Sequence, residues 1–189
     1  MKAHNHPNNI VMQPFALWLM GPTSSGKTTL AELLVKRLLG DGITVINFDG
    51  DEVRNFFGDS LGFAPCDRKR VVSTLVHLTN KATSSGINVI VSALTANEDA
   101  RELVRETVYG LISGYVKCPI EICAKRDPKG LYAQAKNIEI DTLIGINSEY
   151  LPPENPDIII DTSELLPLQA IDYIVEFLHR TERISDTAL

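Results

Sequence analysis

The chain has 189 residues, a net charge of −6 and 44% hydrophobic residues, which fits one globular domain with a sizeable core and argues against a nucleic-acid binder, while leaving room for a local basic site for a small anion. Its three cysteines, Cys66, Cys118 and Cys123, lack C-x-x-C spacing, so they argue for neither a disulfide framework nor a zinc site and suit a reducing, cytoplasmic setting. No apolar run reaches membrane-spanning length and no signal peptide is visible, so no membrane partner is expected. Residues 1–12 are polar and read as a mobile tail, in which His4 and His6 are either metal ligands or, by the simpler reading, part of a disordered stretch. A single domain is expected over 13–182, followed by a C-terminal tail over 183–189.

In chain order, a continuous apolar run over 15–20 predicts a buried strand. Directly after it comes Gly21-Pro22-Thr23-Ser24-Ser25-Gly26-Lys27-Thr28-Thr29. This stretch fits G-x-x-x-x-G-K-[ST], the phosphate-binding P-loop. A helix is predicted over 27–39, with Gly40 as its stop signal. Strand, glycine loop and helix together are the context the motif needs. Gly21 and Gly26 let the backbone curl so that successive N–H groups face phosphate oxygens, and the helix N-terminus adds its dipole. Lys27 can reach the β- and γ-phosphates, and the Thr28 hydroxyl can ligate Mg²⁺.

Further strands are expected at 44–48, 88–92, 113–117 and 157–160, with helices at 67–84, 98–110, 119–125, 130–136 and 165–180. In the last helix Leu168, Ile171, Ile174, Val175 and Leu178 are predicted to share a buried face. The alternation predicts an α/β fold of the P-loop NTPase type: a doubly wound, parallel five-stranded sheet with helices on both faces and a lid segment. Ligands in such sheets bind at the carboxyl ends of the strands.

The remaining chemical signals follow strand ends. After the second strand comes Asp49-Gly50-Asp51-Glu52-Val53-Arg54, running into the start of a helix. A carboxylate here can accept the proton of an attacking hydroxyl or hold Mg²⁺ through water. Arg54 can clamp a phosphate or sulfate. Phe63 sits in a Gly/Pro-rich loop, equally suited to stack on a base or to tuck into the core. Asp67 is expected to N-cap the next helix. Arg68 and Arg70 fall in its first turn, where the dipole disfavours cations, so the choice is between an anion site and a solvated basic face. Strand three ends in Ser92-Ala93-Leu94-Thr95 without an acidic residue, which leaves Asp49 and Asp51 as the carboxylates for Mg²⁺. Ser92 and Thr95 suit helix capping as well. The run Lys125-Arg126-Asp127-Pro128-Lys129-Gly130-Leu131-Tyr132 reads either as a lid over phosphates or as a helix end whose cations complement the dipole.

These pieces resemble the adenylylsulfate kinase family, which uses ATP to phosphorylate the ribose 3′-hydroxyl of adenosine 5′-phosphosulfate. The matching segments are Gly21–Thr29, Asp49-Gly50-Asp51-x-Val53-Arg54, Asp59-x-Leu61-Gly62-Phe63, Asp67-Arg68, Arg126 to Tyr132, Gly145-Ile146, Tyr150, Pro152 to Pro156 and Asp161-Thr162. The resemblance implies a P-loop kinase with ATP and Mg²⁺ as cofactors and a small nucleotide as acceptor. Lys27, Asp51 and Asp49 would be catalytic, with Thr28 and Asp51 at the metal. Gly21, Ser24, Ser25, Gly26, Lys27, Thr28, Thr29 and Arg126 would bind ATP. Asp51, Arg54, Phe63, Arg68, Leu94, Thr95, Lys129 and Leu131 would bind the acceptor, with Thr95 supplying the hydroxyl of the family's Ile-Ser-Pro segment. A homodimer is implied as well.

Two segments depart from the family pattern. Asp67-Arg68 continues Lys69-Arg70-Val71-Val72-Ser73-Thr74 instead of x-Glu-Asn-Ile-Arg-Arg, and Leu143 replaces the second aromatic of an adenine sandwich. Both fall on the acceptor pocket. A kinase of another nucleotide, such as a cytidine diphosphate derivative, is therefore the alternative expectation, with a nucleotide-binding regulatory protein as a third.

Overall fold

The computed structural model describes residues 13–62 and 64–185. His4, His6 and Phe63 lie outside the described residues. Five strands, β1 (Ala16–Met20), β2 (Val45–Asp49), β3 (Asn88–Ser92), β4 (Leu111–Lys117) and β5 (Ile158–Asp161), form one sheet in the order β2-β3-β1-β4-β5. Every pairing is parallel. The helices are α1 (Lys27–Gly40), α2 (Gly50–Phe57), α3 (Pro65–Thr83), α4 (Glu98–Thr107), α5 (Ile120–Arg126), α6 (Leu131–Lys136) and α7 (Pro167–Arg180).

The central strand explains the layering. All five residues of β1 are buried, because helices cover both faces of a parallel sheet. Side chains alternate across a strand. Leu17 and Leu19 therefore point to one layer, where they meet Leu30, Leu34 and Leu38 of α1 and Ile171, Ile174 and Leu178 of α7. Ala16, Trp18 and Met20 point to the other, against Val72, Leu75 and Val76 of α3 and Ala100 and Val104 of α4. A third, smaller cluster of Cys118, Cys123, Tyr132, Ala135 and Leu143 packs α5 and α6 together beside the strand ends.

The elements follow the expected order, with four local differences. Helix α3 begins at Pro65, with Ala64 as N-cap, so Asp67 stands inside the first turn and is not the N-cap residue. Proline pre-organises a first helical turn, and that start signal outweighs the aspartate. Helix α4 stops at Thr107, where Val108 turns extended ahead of Gly110 at φ 66°. Strand β4 begins at Leu111, two residues before the expected start, through its pairing with Ala16. Leu168 is 69% exposed. It sits in the first turn of α7, at the margin of the apolar stripe, while Ala170, Ile171, Ile174, Val175, Phe177 and Leu178 are the buried residues.

Leu34 is fully buried between α1 and the sheet. Leu34→Ala is expected to lower unfolding free energy by about 2–5 kcal/mol, read by urea denaturation; a loss below about 1 kcal/mol would mean that α1 is not seated on the sheet as described.

Candidate active site

The P-loop is held by its surroundings as much as by its glycines. Gly21 lies so close to β4 that a Cβ there would stand 2.5 Å from the Val116 carbonyl oxygen. Gly26, at φ 100°, is the left-handed N-cap of α1. Ser24 also takes a positive φ of 62°. The Tyr132 hydroxyl donates to the Thr23 carbonyl at 2.9 Å, and the Thr162 hydroxyl donates to the Ser25 carbonyl at 2.7 Å. Arg126 in turn donates to the Thr162 hydroxyl at 3.1 Å. Ser24, Gly26, Thr28, Thr29 and Arg126 line the cleft, whereas the Ser25 side chain is buried beneath the loop.

Lys27 folds over the loop and donates to the carbonyls of Gly21 (2.9 Å) and Pro22 (2.7 Å). Burial pushes its ammonium down from the ordinary lysine value to about 8, against the pull of the Asp51 carboxylate. Such a lysine gains its full charge when phosphate oxygens arrive.

Three strands end side by side here. Asp49 pairs with Ser92 across β2 and β3, and Ser92 stands opposite Leu19 of β1. Asp49 is buried and accepts three hydrogen bonds: from the Thr28 hydroxyl (2.8 Å), the Ser92 hydroxyl (2.7 Å) and the Asp51 amide (2.7 Å). Burial works to raise its carboxyl, but those hydrogen bonds outweigh it and hold the group below the ordinary carboxylate range. Asp51, one helical step on, is exposed and ion-paired with Lys129 from the α5–α6 connection. Asp49, and not Asp51, is thus the carboxylate on the P-loop hydroxyl.

The P-loop and these carboxylates open into one cleft of about 880 Å³. Beyond Asp51 it is lined by Arg54, Arg68, Val71, Val72, Leu94, Thr95, Lys129, Leu131 and Leu143. Arg54 donates to the Gly62 carbonyl and Arg68 to the Thr142 carbonyl. Burial lowers the affinity of the Arg68 guanidinium for its proton, and the neighbouring charge of Arg54 lowers it further. Two cations held together in this way favour an anion between them. Arg70 is elsewhere, stacked 5.1 Å over the Phe57 ring. Ser73 and Thr74 bond back to carbonyls of their own helix, at Lys69 and Arg70. Val71 and Leu143, both buried, do face the cleft.

Four residues had been given no site role from the sequence. Tyr132 and Thr162 reach the P-loop carbonyls from residues more than 100 positions away. Trp18 donates its indole N–H to the Thr95 hydroxyl at 3.0 Å, and the N-cap of α4 is Asn97. Arg101 is a buried arginine on α4. The available signal was its place beside Ala100 and Val104 on the inward face of that helix.

Residues 13–161 match the family model for adenylylsulphate kinase. The chain belongs to the adenylylsulphate kinase family. It is 39% identical over 150 residues to a probable adenylyl-sulfate kinase of Archaeoglobus fulgidus, covering 79% of this chain and 97% of that one. An adenylyl-sulfate kinase of Staphylococcus epidermidis is 35% identical over 170 residues, 89% of this chain and 85% of the relative. Among solved structures, the APS kinase of Mycobacterium tuberculosis in complex with AMPPNP and APS superposes with a TM-score of 0.81 at 31% identity, over 88% of this chain and 98% of that one. Family membership makes the chain an ATP-dependent phosphotransferase. Among the described residues no helix is long and apolar enough to cross a membrane.

The depressed Lys27 has a measurable consequence. At pH 8 the ligand-free ammonium is part-deprotonated, and phosphate binding raises its pKa, so ATP binding is expected to take up about half a proton. Calorimetry in buffers of different ionisation enthalpy reads the uptake. The Lys27 contribution, isolated by subtracting the linkage of the nucleotide's own phosphate, should vanish at pH 6.5, where Lys27 is already charged.

Proposed function

We propose that the chain transfers the γ-phosphoryl group of ATP to the ribose 3′-hydroxyl of adenosine 5′-phosphosulfate. The observation that carries this reading is the position of Asp51. It stands between the P-loop lysine and the Arg54–Arg68 pair, within one continuous cleft. A triphosphate on the P-loop and a second anion on the arginines would meet at that carboxylate. The M. tuberculosis APS kinase was solved in complex with AMPPNP and APS.

In this reading Lys27 leaves the Gly21 and Pro22 carbonyls and pairs with the β- and γ-phosphates. The Thr28 hydroxyl spends its proton on Asp49, which leaves an oxygen lone pair directed away from that carboxylate. A hydroxyl so oriented fits a Mg²⁺ site completed by phosphate oxygens and water, although no cluster of three His, Cys, Asp or Glu side chains occurs among the described residues. Bound there, Mg²⁺ supplies neutralisation of charge on the β- and γ-oxygens. Asp51 exchanges its contact with Lys129 for the acceptor hydroxyl and takes its proton. Arg54 and Arg68 hold the phosphosulfate, with Leu94, Thr95 and Leu131 on the acceptor walls. Arg126, above the P-loop, holds the ATP side. Water is excluded as the 126–131 connection closes.

A second reading keeps the chemistry and changes the acceptor. Val71 and Leu143 give the cleft an aliphatic lining, which removes one stacking face of about 1–3 kcal/mol for a base. A nucleotide with another base, a cytidine diphosphate derivative for example, is the corresponding acceptor. The proposed enzyme works as a homodimer in the cytoplasm, a stoichiometry that light scattering reads directly.

ADP release by the purified protein with ATP and Mg²⁺ is expected to be robust with adenylylsulfate and weak with other nucleotides. Asp51→Ala is expected to cut kcat by about 10²–10⁴-fold. Normal turnover by that variant would contradict the assignment of the proton acceptor. Silence with adenylylsulfate beside turnover of another nucleotide would select the second reading.

A further inference from the structure

One backbone outlier borders the cleft. Thr95 has φ 41°, a genuine outlier for a β-branched residue. Strain of this kind persists only where the surroundings over-determine it. Two buried groups do so here. On one side the Trp18 indole holds the side-chain oxygen at 3.0 Å. On the other, Arg101 donates its Nε–H to the Thr95 carbonyl at 2.9 Å.

Arg101 does more than hold one carbonyl. Its side chain is 3% exposed. Its two terminal nitrogens donate to the carbonyls of Pro152, at 3.2 Å, and Leu151. The guanidinium also lies 5.7 Å over the Tyr150 ring and 3.6 Å from the Glu98 carboxylate. A rigid planar fork with five donors is well suited to carbonyls on two segments at once. The 92–97 segment, which lines the cleft through Ser92, Ala93, Leu94, Thr95, Ala96 and Asn97, is thereby fixed to the 150–152 segment, far away in sequence.

We infer that Arg101 is a positioning residue for the acceptor: it locks the left-handed Thr95 turn so that the 93–97 wall keeps its place against the substrate, without touching the substrate itself. Arg101 does not line the cleft. Loss of the fork leaves Thr95 free to relax to negative φ, which moves Leu94 and the Thr95 side chain relative to Asp51 while leaving the P-loop as it is. The kinetic half of the inference rests on the acceptor being adenylylsulfate.

The test compares Arg101→Met, Arg101→Lys and Val104→Ala. The last is a destabilised control: it removes buried volume from the same helix without touching the turn. Lysine keeps the charge beside Glu98 and Tyr150 but presents no fork, so it is the variant to rely on should Arg101→Met not fold. In both arginine variants, amides over 93–97 are expected to exchange hydrogen at least about tenfold faster than in the parent and in Val104→Ala, since local opening sets the rate. KM for adenylylsulfate is expected to rise by about tenfold or more, with KM for ATP unchanged. Millimolar guanidinium should lower the raised KM of Arg101→Met and leave Val104→Ala unaffected. Unchanged exchange over 93–97 in Arg101→Lys, or the same rise in KM with Val104→Ala, would overturn the inference. If the parent protein fails to turn over adenylylsulfate, that failure belongs to the proposed function, and the exchange rates alone still decide whether Arg101 holds the turn.

Discussion

The buried carboxylate of Asp49 is the constraint on which the site depends. It gathers a hydroxyl from α1, a hydroxyl from β3 and an amide from α2 onto two oxygens. Each donor comes from a different element, so the carboxylate fixes the P-loop helix, the sheet and the acceptor-side helix relative to one another. The register of β2 against β3 is therefore functional as well as structural. A slip of one residue would turn Asp49 to the opposite face of the sheet and part it from Ser92 and Thr28. A buried carboxylate is costly unless hydrogen bonded, and the three donors meet most of that requirement, with the Lys129 ammonium adding a smaller pull.

The cleft walls follow a second rule. Their carbonyls are tied from behind by side chains rooted elsewhere in the fold: Thr23 by Tyr132, Ser25 by Thr162, and Thr95 by Arg101. Each tie stabilises a backbone turn that local sequence alone would not hold. Ser24 and Thr95 both carry positive φ without being glycine. The scaffold's buried volume and hydrogen bonds offset that strain, which is how a site of turns can present fixed groups to a ligand.

What was legible in the sequence was local. The P-loop, its strand and its helix are adjacent in the chain, and their pattern specifies both conformation and chemistry. The Asp49-Gly50-Asp51 pair was legible as a site, but which carboxylate serves the P-loop was not. That distinction comes from a strand register linking residues 43 positions apart. Helix α2 was legible only as a start, since it is short and buries no residue fully. The departures at Val71 and Leu143 were visible as letters, and only the fold shows both of them facing the cleft. Arg101 escaped notice because an arginine in a helix as charged as α4 ordinarily reads as a solvated charge, and two of its three carbonyl partners, Leu151 and Pro152, belong to a segment that the sequence does not mark as a neighbour.

The most direct test of the account is the coupling between Mg²⁺ and ATP in Asp49→Asn, measured as the ratio of ATP affinities with and without the ion. Asp49 accepts the hydrogen bond of the Thr28 hydroxyl, and that bond would leave the oxygen's lone pairs turned toward the proposed metal position. An asparagine amide group can donate to Thr28 instead, and the coupling should fall by about 10–100-fold, the usual consequence of losing an outer partner of a metal ligand, with the fold intact by circular dichroism. Undiminished coupling in a folded Asp49→Asn protein would show that Thr28 orientation does not depend on this carboxylate, and would contradict the central place given to Asp49.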